Sequence, residues 1–94
     1  MKQSNDLIHR LSQKLHQPAE AMQLLPLIEV AGDRRVLVEN HRGVQQYTPQ
    51  CICIRVSFGD ICVSGEALRL AQMSAGQLTI YGQIDSVKLC RREG

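Results

Sequence analysis

From Cys51 to Phe58 apolar and polar positions alternate without a break. Ile52, Ile54, Val56 and Phe58 fall on one side, and Cys51, Cys53, Arg55 and Ser57 on the other. A period of two residues is that of a half-buried strand. Gly59-Asp60 follows, then Ile61-Cys62-Val63-Ser64, so the pattern predicts a hairpin. Turning about Gly59-Asp60 sets Phe58 opposite Ile61, Val56 opposite Val63 and Cys62 opposite Ser57, and it keeps one apolar face. A small continuous antiparallel sheet leaves little room for a catalytic cleft. It points to a module that works by surface contact.

The same alternation, broken by turn residues, predicts about eight short strands: 27–31, 34–39, 44–47, 51–58, 61–65, 68–72, 78–82 and 84–89. The separators are Gly32-Asp33, Asn40 to Gly43, Thr48-Pro49-Gln50, Gly59-Asp60, Gly65-Glu66 and Ser74-Ala75-Gly76. Connections this short predict a mainly β meander, curled into a small sandwich or barrel. Broken alternation at Ile84, Val87 and Leu89 predicts a bulge near Asp85-Ser86. Residues 1–26 differ in kind. Ser4, Asn5 or Asp6 can cap a helix on which Leu7, Ile8, Leu11 and Leu15 form one apolar stripe, and Pro18 ends it. Such a helix is too short to stand alone, so the stripe predicts a contact with the chain's own sheet or with a partner. The organisation expected is a helical segment 1–26, a β domain 27–90 and a tail 91–94.

Composition narrows the choice of function. The chain has 94 residues, 3% aromatics and a net charge of +2. One thin, aliphatic core follows from that size. Arg34-Arg35 and Arg91-Arg92 are too short to make a basic face, and Tyr47 and Tyr81 alone cannot furnish a stacking surface, so nucleic acid is not an expected partner. No apolar run approaches the roughly 20 residues that span a bilayer, and no signal-like leader opens the chain. A cytoplasmic protein with four reduced thiols is the expectation.

Those cysteines invite a metal reading that the predicted hairpin rejects. With Cys62 opposite Ser57, Cys53 and Cys62 stand about 13 Å apart, too far for one zinc, and knuckle spacing is absent. A Cys51–Cys53 disulfide would lie near the upper limit of disulfide geometry. The thiols are therefore expected free, with no metal and no cofactor. His9, His16 and His41 form no ligand set. His41 sits in the turn Asn40-His41-Arg42-Gly43, which reads either as an exposed recognition loop or as a turn bonding its own backbone; the second is favoured. No nucleophile elbow, phosphate loop or paired carboxylate occurs, so no catalytic residue is assigned and no enzyme is expected.

Several runs carry a resemblance: Leu25-Pro26, then Val38-Glu39-Asn40-His41-Arg42-Gly43-Val44 with Tyr47, then Ile52-x-Ile54, Gly65-x-x-Leu68 and Ile80-x-Gly82-x-Ile84-x-Ser86-Val87. Over about residues 17–89 the chain resembles the YabP/YqfC family of sporulation proteins, and its Glu-Asn-His-Arg-Gly turn is most similar to the YqfC branch. The resemblance implies a small non-enzymatic protein of the mother-cell cytoplasm in endospore-forming bacteria. It also implies a membrane protein, YqfD, as partner. The cysteines depart from the family's usual pattern, so it implies nothing about thiols. A structural or adaptor module acting through Asn40, His41, Arg42, Gly43 and the stripe Leu7, Leu11 and Leu15, with a homo-oligomer as a further form, is the leading expectation. A small ligand-binding β-barrel is the alternative.

Overall fold

The computed structural model describes residues 25–92, and the predicted N-terminal helix lies outside them. Six strands follow in chain order: β1 (Leu27–Ala31), β2 (Arg35–Glu39), β3 (Val44–Tyr47), β4 (Cys51–Val56), β5 (Gly59–Ser74) and β6 (Gln77–Arg91). They form one antiparallel sheet in the order β1-β2-β6-β5-β4-β3. The fold is mainly β, as the alternation predicts, but with six strands rather than about eight. Gly65-Glu66 does not turn the chain: it is absorbed as a bulge inside β5, whose register with β6 shifts between Ser64 and Gly65 and again between Glu66 and Arg69. The last two predicted strands likewise merge into β6, which runs through Gly82.

The meander holds for every consecutive pair except β2 and β3, because β2 pairs with β6 instead. The four residues between them cross from one half of the sheet to the other. Asn40 and His41 donate their backbone N–H groups to the Gly76 carbonyl at the tip of the β5–β6 hairpin. Two residues on, the Arg42 N–H bonds the Arg55 carbonyl at 2.7 Å, and Arg55 is paired with Asp60 at the start of β5. Asn40 and Arg42 lie no more than about 7 Å apart. A straight β5 would hold its two ends about 50 Å apart, longer than the largest dimension of the molecule, 38 Å. The long hairpin is therefore folded over on itself.

The bend sits where the backbone demands glycine. A Cβ at Gly82, whose φ is +143°, would lie 2.7 Å from the Ala67 carbonyl oxygen and 2.9 Å from the Leu68 Cα. One at Gly65 would overlap the Gln83 carbonyl oxygen. Ala67 itself has φ +54°, and the two residues Ala67 and Leu68 oppose Gly82 across the ladder. Bulges of this kind kink a strand and raise its twist. Folding over brings Val36, Val38, Leu78 and Ile80 from one half against Ile52, Ile54, Val56, Ile61 and Val63 from the other, with Leu68 and Ile84 at the bend, in a single core. The expected sandwich or barrel is thus one open sheet that shares a core between its halves, with β1 and β3 as its outer strands.

The β4–β5 turn differs from the expected one by two residues. Ser57 and Phe58 make it, Val56 pairs with Gly59, and the register runs Ile54↔Ile61 and Ile52↔Val63. Gly59 belongs to the ladder. Its φ is +152° and a Cβ there would collide with the Cys90 carbonyl, so this glycine serves close strand approach rather than the turn.

Candidate functional site

The corrected register has a consequence for the cysteines. Cys53 lies directly opposite Cys62, not about 13 Å away, and the Cα atoms are 4.1 Å apart. So short a separation marks a non-hydrogen-bonded pair, where side chains approach most closely. The two sulfurs form a disulfide. The expectation of four free thiols, which rested on the cytoplasmic reading and on a turn placed two residues too late, is overturned for this pair; Cys51 and Cys90 remain free.

All four cysteines share one face. Opposite residues in an antiparallel ladder point to the same side, which gives three rows across β4, β5 and β6: Cys51, Ser64 and Ser86; Cys53, Cys62 and Lys88; Arg55, Asp60 and Cys90. Cys53 is buried yet does not belong to the apolar cluster that the two halves share, which agrees with its place on the outer face. Cys51 is held at the start of β4 by the Thr48 turn: the Thr48 hydroxyl accepts from the Cys51 N–H at 2.9 Å and from the Gln50 N–H at 3.3 Å. Its sulfur lies 3.7 Å from that of Cys53. Three sulfurs therefore meet in one corner of the face, with the Lys88 position beside them. The buried Asp60 Oδ1, in the next row, has no hydrogen-bond partner. No cluster of three or more His, Cys, Asp or Glu suited to a metal occurs among the described residues.

The Asn40–Gly43 segment is placed as the crossover between the halves. Asn40 takes the left-handed conformation, φ 65°, which asparagine tolerates well, and its side-chain amide donates to the Leu25 carbonyl at 2.9 Å. The His41 ring spans a gap: Nδ1 accepts from the Gly43 N–H at 3.0 Å and Nε2 faces the Ser74 carbonyl at 3.2 Å. An acceptor at Nδ1 puts the ring proton on Nε2, which donates to Ser74. The ring thus pins the hairpin tip to the crossover, and the turn bonds its own backbone. His41→Ala is expected to cost about 1–2 kcal/mol, the loss of two hydrogen bonds at a partly buried site. Arg42→Ala, at an exposed side chain, is expected to cost less than about 0.5 kcal/mol. Urea unfolding of the two variants checks this; equal costs would remove His41 from its bridging role. Leu7, Leu11 and Leu15 lie outside the described residues.

Two further surfaces are open. β2 pairs with β6 only over Gln77–Tyr81. The Asp33 and Arg34 carbonyls then take the Ile84 and Gly82 N–H groups, and past Ile84 no described strand covers that side of β6. Leu89 on this free half-edge is 58% exposed. At the bend, Arg34, Glu66, Arg69 and Tyr81 line a depression of about 520 Å³. Tyr81 stands between Arg35 and Arg69 across the strands, too small a basic group to follow a nucleic-acid backbone.

Residues 26–94, which include every described strand, match the model of the YabP family. The chain is also similar to an uncharacterized protein, YqfC, of Bacillus subtilis (strain 168), with 26% identity over 78 residues, covering 83% of this chain and 84% of that protein. No solved structure matches.

Proposed function

Because the chain belongs to the YabP family, we propose that it is a non-enzymatic sporulation module of the mother-cell cytoplasm that acts by protein contact, with the membrane protein YqfD as partner. The observation that supports this most is the half of β6 past Ile84, which no described strand covers. An unpaired strand edge is a template for another chain, and proteins that do not use such an edge blunt it. Here it carries an exposed leucine. No helix long and apolar enough to cross a membrane occurs among the described residues. The crossover supports the reading from the other side: its hydrogen bonds are spent on holding the sheet folded, which leaves the exposed Arg42 side chain as its contact group.

The test is co-purification of YqfD with tagged wild-type protein and with Leu89→Glu from sporulating cells. A charge on the edge should abolish capture while thermal unfolding changes little, since Leu89 is mostly exposed. Failure of the wild-type chain to retain YqfD, or undiminished capture by the variant, would remove this edge and this partner from the proposal.

A further inference from the structure

The sulfur corner of the outer face carries an inference separate from the proposed function. We propose that Cys53 and Cys62 are a reversible thiol–disulfide couple, exchanged with a low-molecular-weight thiol, and that Cys51 is the thiol that opens it.

Three observations carry this. First, the pair is preorganised by the ladder rather than by its own bond. Six residue pairs, from Cys51↔Ser64 to Val56↔Gly59, fix the register, so the two sulfurs stay opposite one another when the bond is broken. Reduction requires no backbone movement. Second, the Cys51 sulfur lies 3.7 Å from that of Cys53, within reach as an internal nucleophile. Cys53 is only 8% exposed, so its sulfur is reached from within by the half-buried Cys51, whereas a thiol attacking directly from solvent would fall on the half-buried Cys62. Third, Lys88 is the cross-strand neighbour of Cys62 on the same face, where an ammonium offers a counter-charge to a departing thiolate.

The chemistry balances as ordinary exchange. The Cys51 thiolate attacks the Cys53 sulfur; the Cys51–Cys53 bond forms, the Cys53–Cys62 bond breaks, and its electron pair leaves on Cys62, which takes a proton. Residues two apart on a strand have Cα atoms about 6.6 Å apart, inside the upper limit for a disulfide. A small thiolate then attacks the Cys51 sulfur and releases Cys53 as a thiol. A second small thiolate attacks the mixed disulfide, forming the small-molecule disulfide and freeing Cys51. In net terms, one protein disulfide and two small thiols give one protein dithiol and one small disulfide, a two-electron reduction of the protein that runs in reverse with excess oxidant.

The experiment uses the full chain, with reduced and oxidised glutathione as probes. Acid quenching, alkylation of free thiols and peptide mass mapping follow the Cys53–Cys62 bond with time. The folded wild type should gain two alkylatable thiols, Cys53 and Cys62, in reduced glutathione, and lose the same two in oxidised glutathione. Cys51→Ser should slow opening at least about tenfold without shifting the final ratio, because a relay thiol alters rate and not equilibrium. Cys90→Ser, one row away and outside the trio, should leave the rate unchanged and serve as the control for folding. The proposal fails if the pair resists reduced glutathione while folded, which makes it a static crosslink. It also fails if the pair stays fully reduced in oxidised glutathione. Opening of Cys51→Ser at the wild-type rate overturns the role of Cys51.

Discussion

Gly82→Val should cost about 3–5 kcal/mol and leave much of the protein unfolded at ordinary temperature. Two effects add at this position. Its φ of +143° is one that a branched L-residue avoids, and the new Cβ would meet backbone, the Ala67 carbonyl at 2.7 Å and the Leu68 Cα at 2.9 Å. Backbone cannot rotate out of the way as a side-chain tip can, so the bend itself must open. Opening it separates the halves that share the core. Against a total stability of roughly 5–14 kcal/mol for a chain of this length, that loss is a large fraction. Gly76→Val provides the comparison: it has φ +89° but open space around its Cβ, and should cost only the conformational penalty, about 1–2 kcal/mol. Urea unfolding of both settles the matter. If the two cost the same, the close approach at Gly82 does not constrain the fold.

The inner face was legible because burial is written directly into alternation. Ile52, Ile54 and Val56 are fully buried and Arg55 is exposed, as the pattern of the hairpin requires. The bounds expected for β1 and β3 agree with those observed, and β2 starts one residue later. What could not be read was which glycines turn the chain. Gly59 and Gly65 look like turn residues in a sequence, yet both lie inside a ladder where a neighbouring backbone comes too close for a side chain. The β2–β6 pairing joins residues about 40 positions apart, and no local pattern specifies it.

The cysteine face was missed for a related reason. Moving the turn from Gly59-Asp60 to Ser57-Phe58 shifts the pairing by an even number of residues, and an even shift leaves each side chain on its own face. Hydrophobic alternation is therefore blind to the difference. Phe58 opposite Ile61 and Ile54 opposite Ile61 are equally good apolar pairs, but only the second sets Cys53 against Cys62. The signal available was the placement of Cys53 and Cys62 at equal distances on either side of Ser57-Phe58. A cross-strand thiol pair at a non-hydrogen-bonded site would have fixed the register by itself.

Replacing Ile54 by Ala should cost about 2–5 kcal/mol, and replacing Ile80 by Ala should cost a similar amount. Both side chains have no solvent exposure, and they come from opposite halves of the sheet: Ile54 pairs with Ile61 in one, Ile80 with Val36 and Leu70 in the other. Each truncation removes three carbons' worth of packing from one core that has few large side chains to collapse into the space. Arg55→Ala, beside Ile54 but on the outer face, should cost less than about 1 kcal/mol, since the bonds Arg55 makes to Arg42 and Gly43 are through its backbone. Denaturant unfolding of the three variants discriminates sharply. Equal losses at Ile54 and Arg55 would mean that the faces are misassigned, whereas a severe loss at Ile54 with a mild one at Ile80 would mean that the two halves do not share a core and that the sheet is not folded over as described.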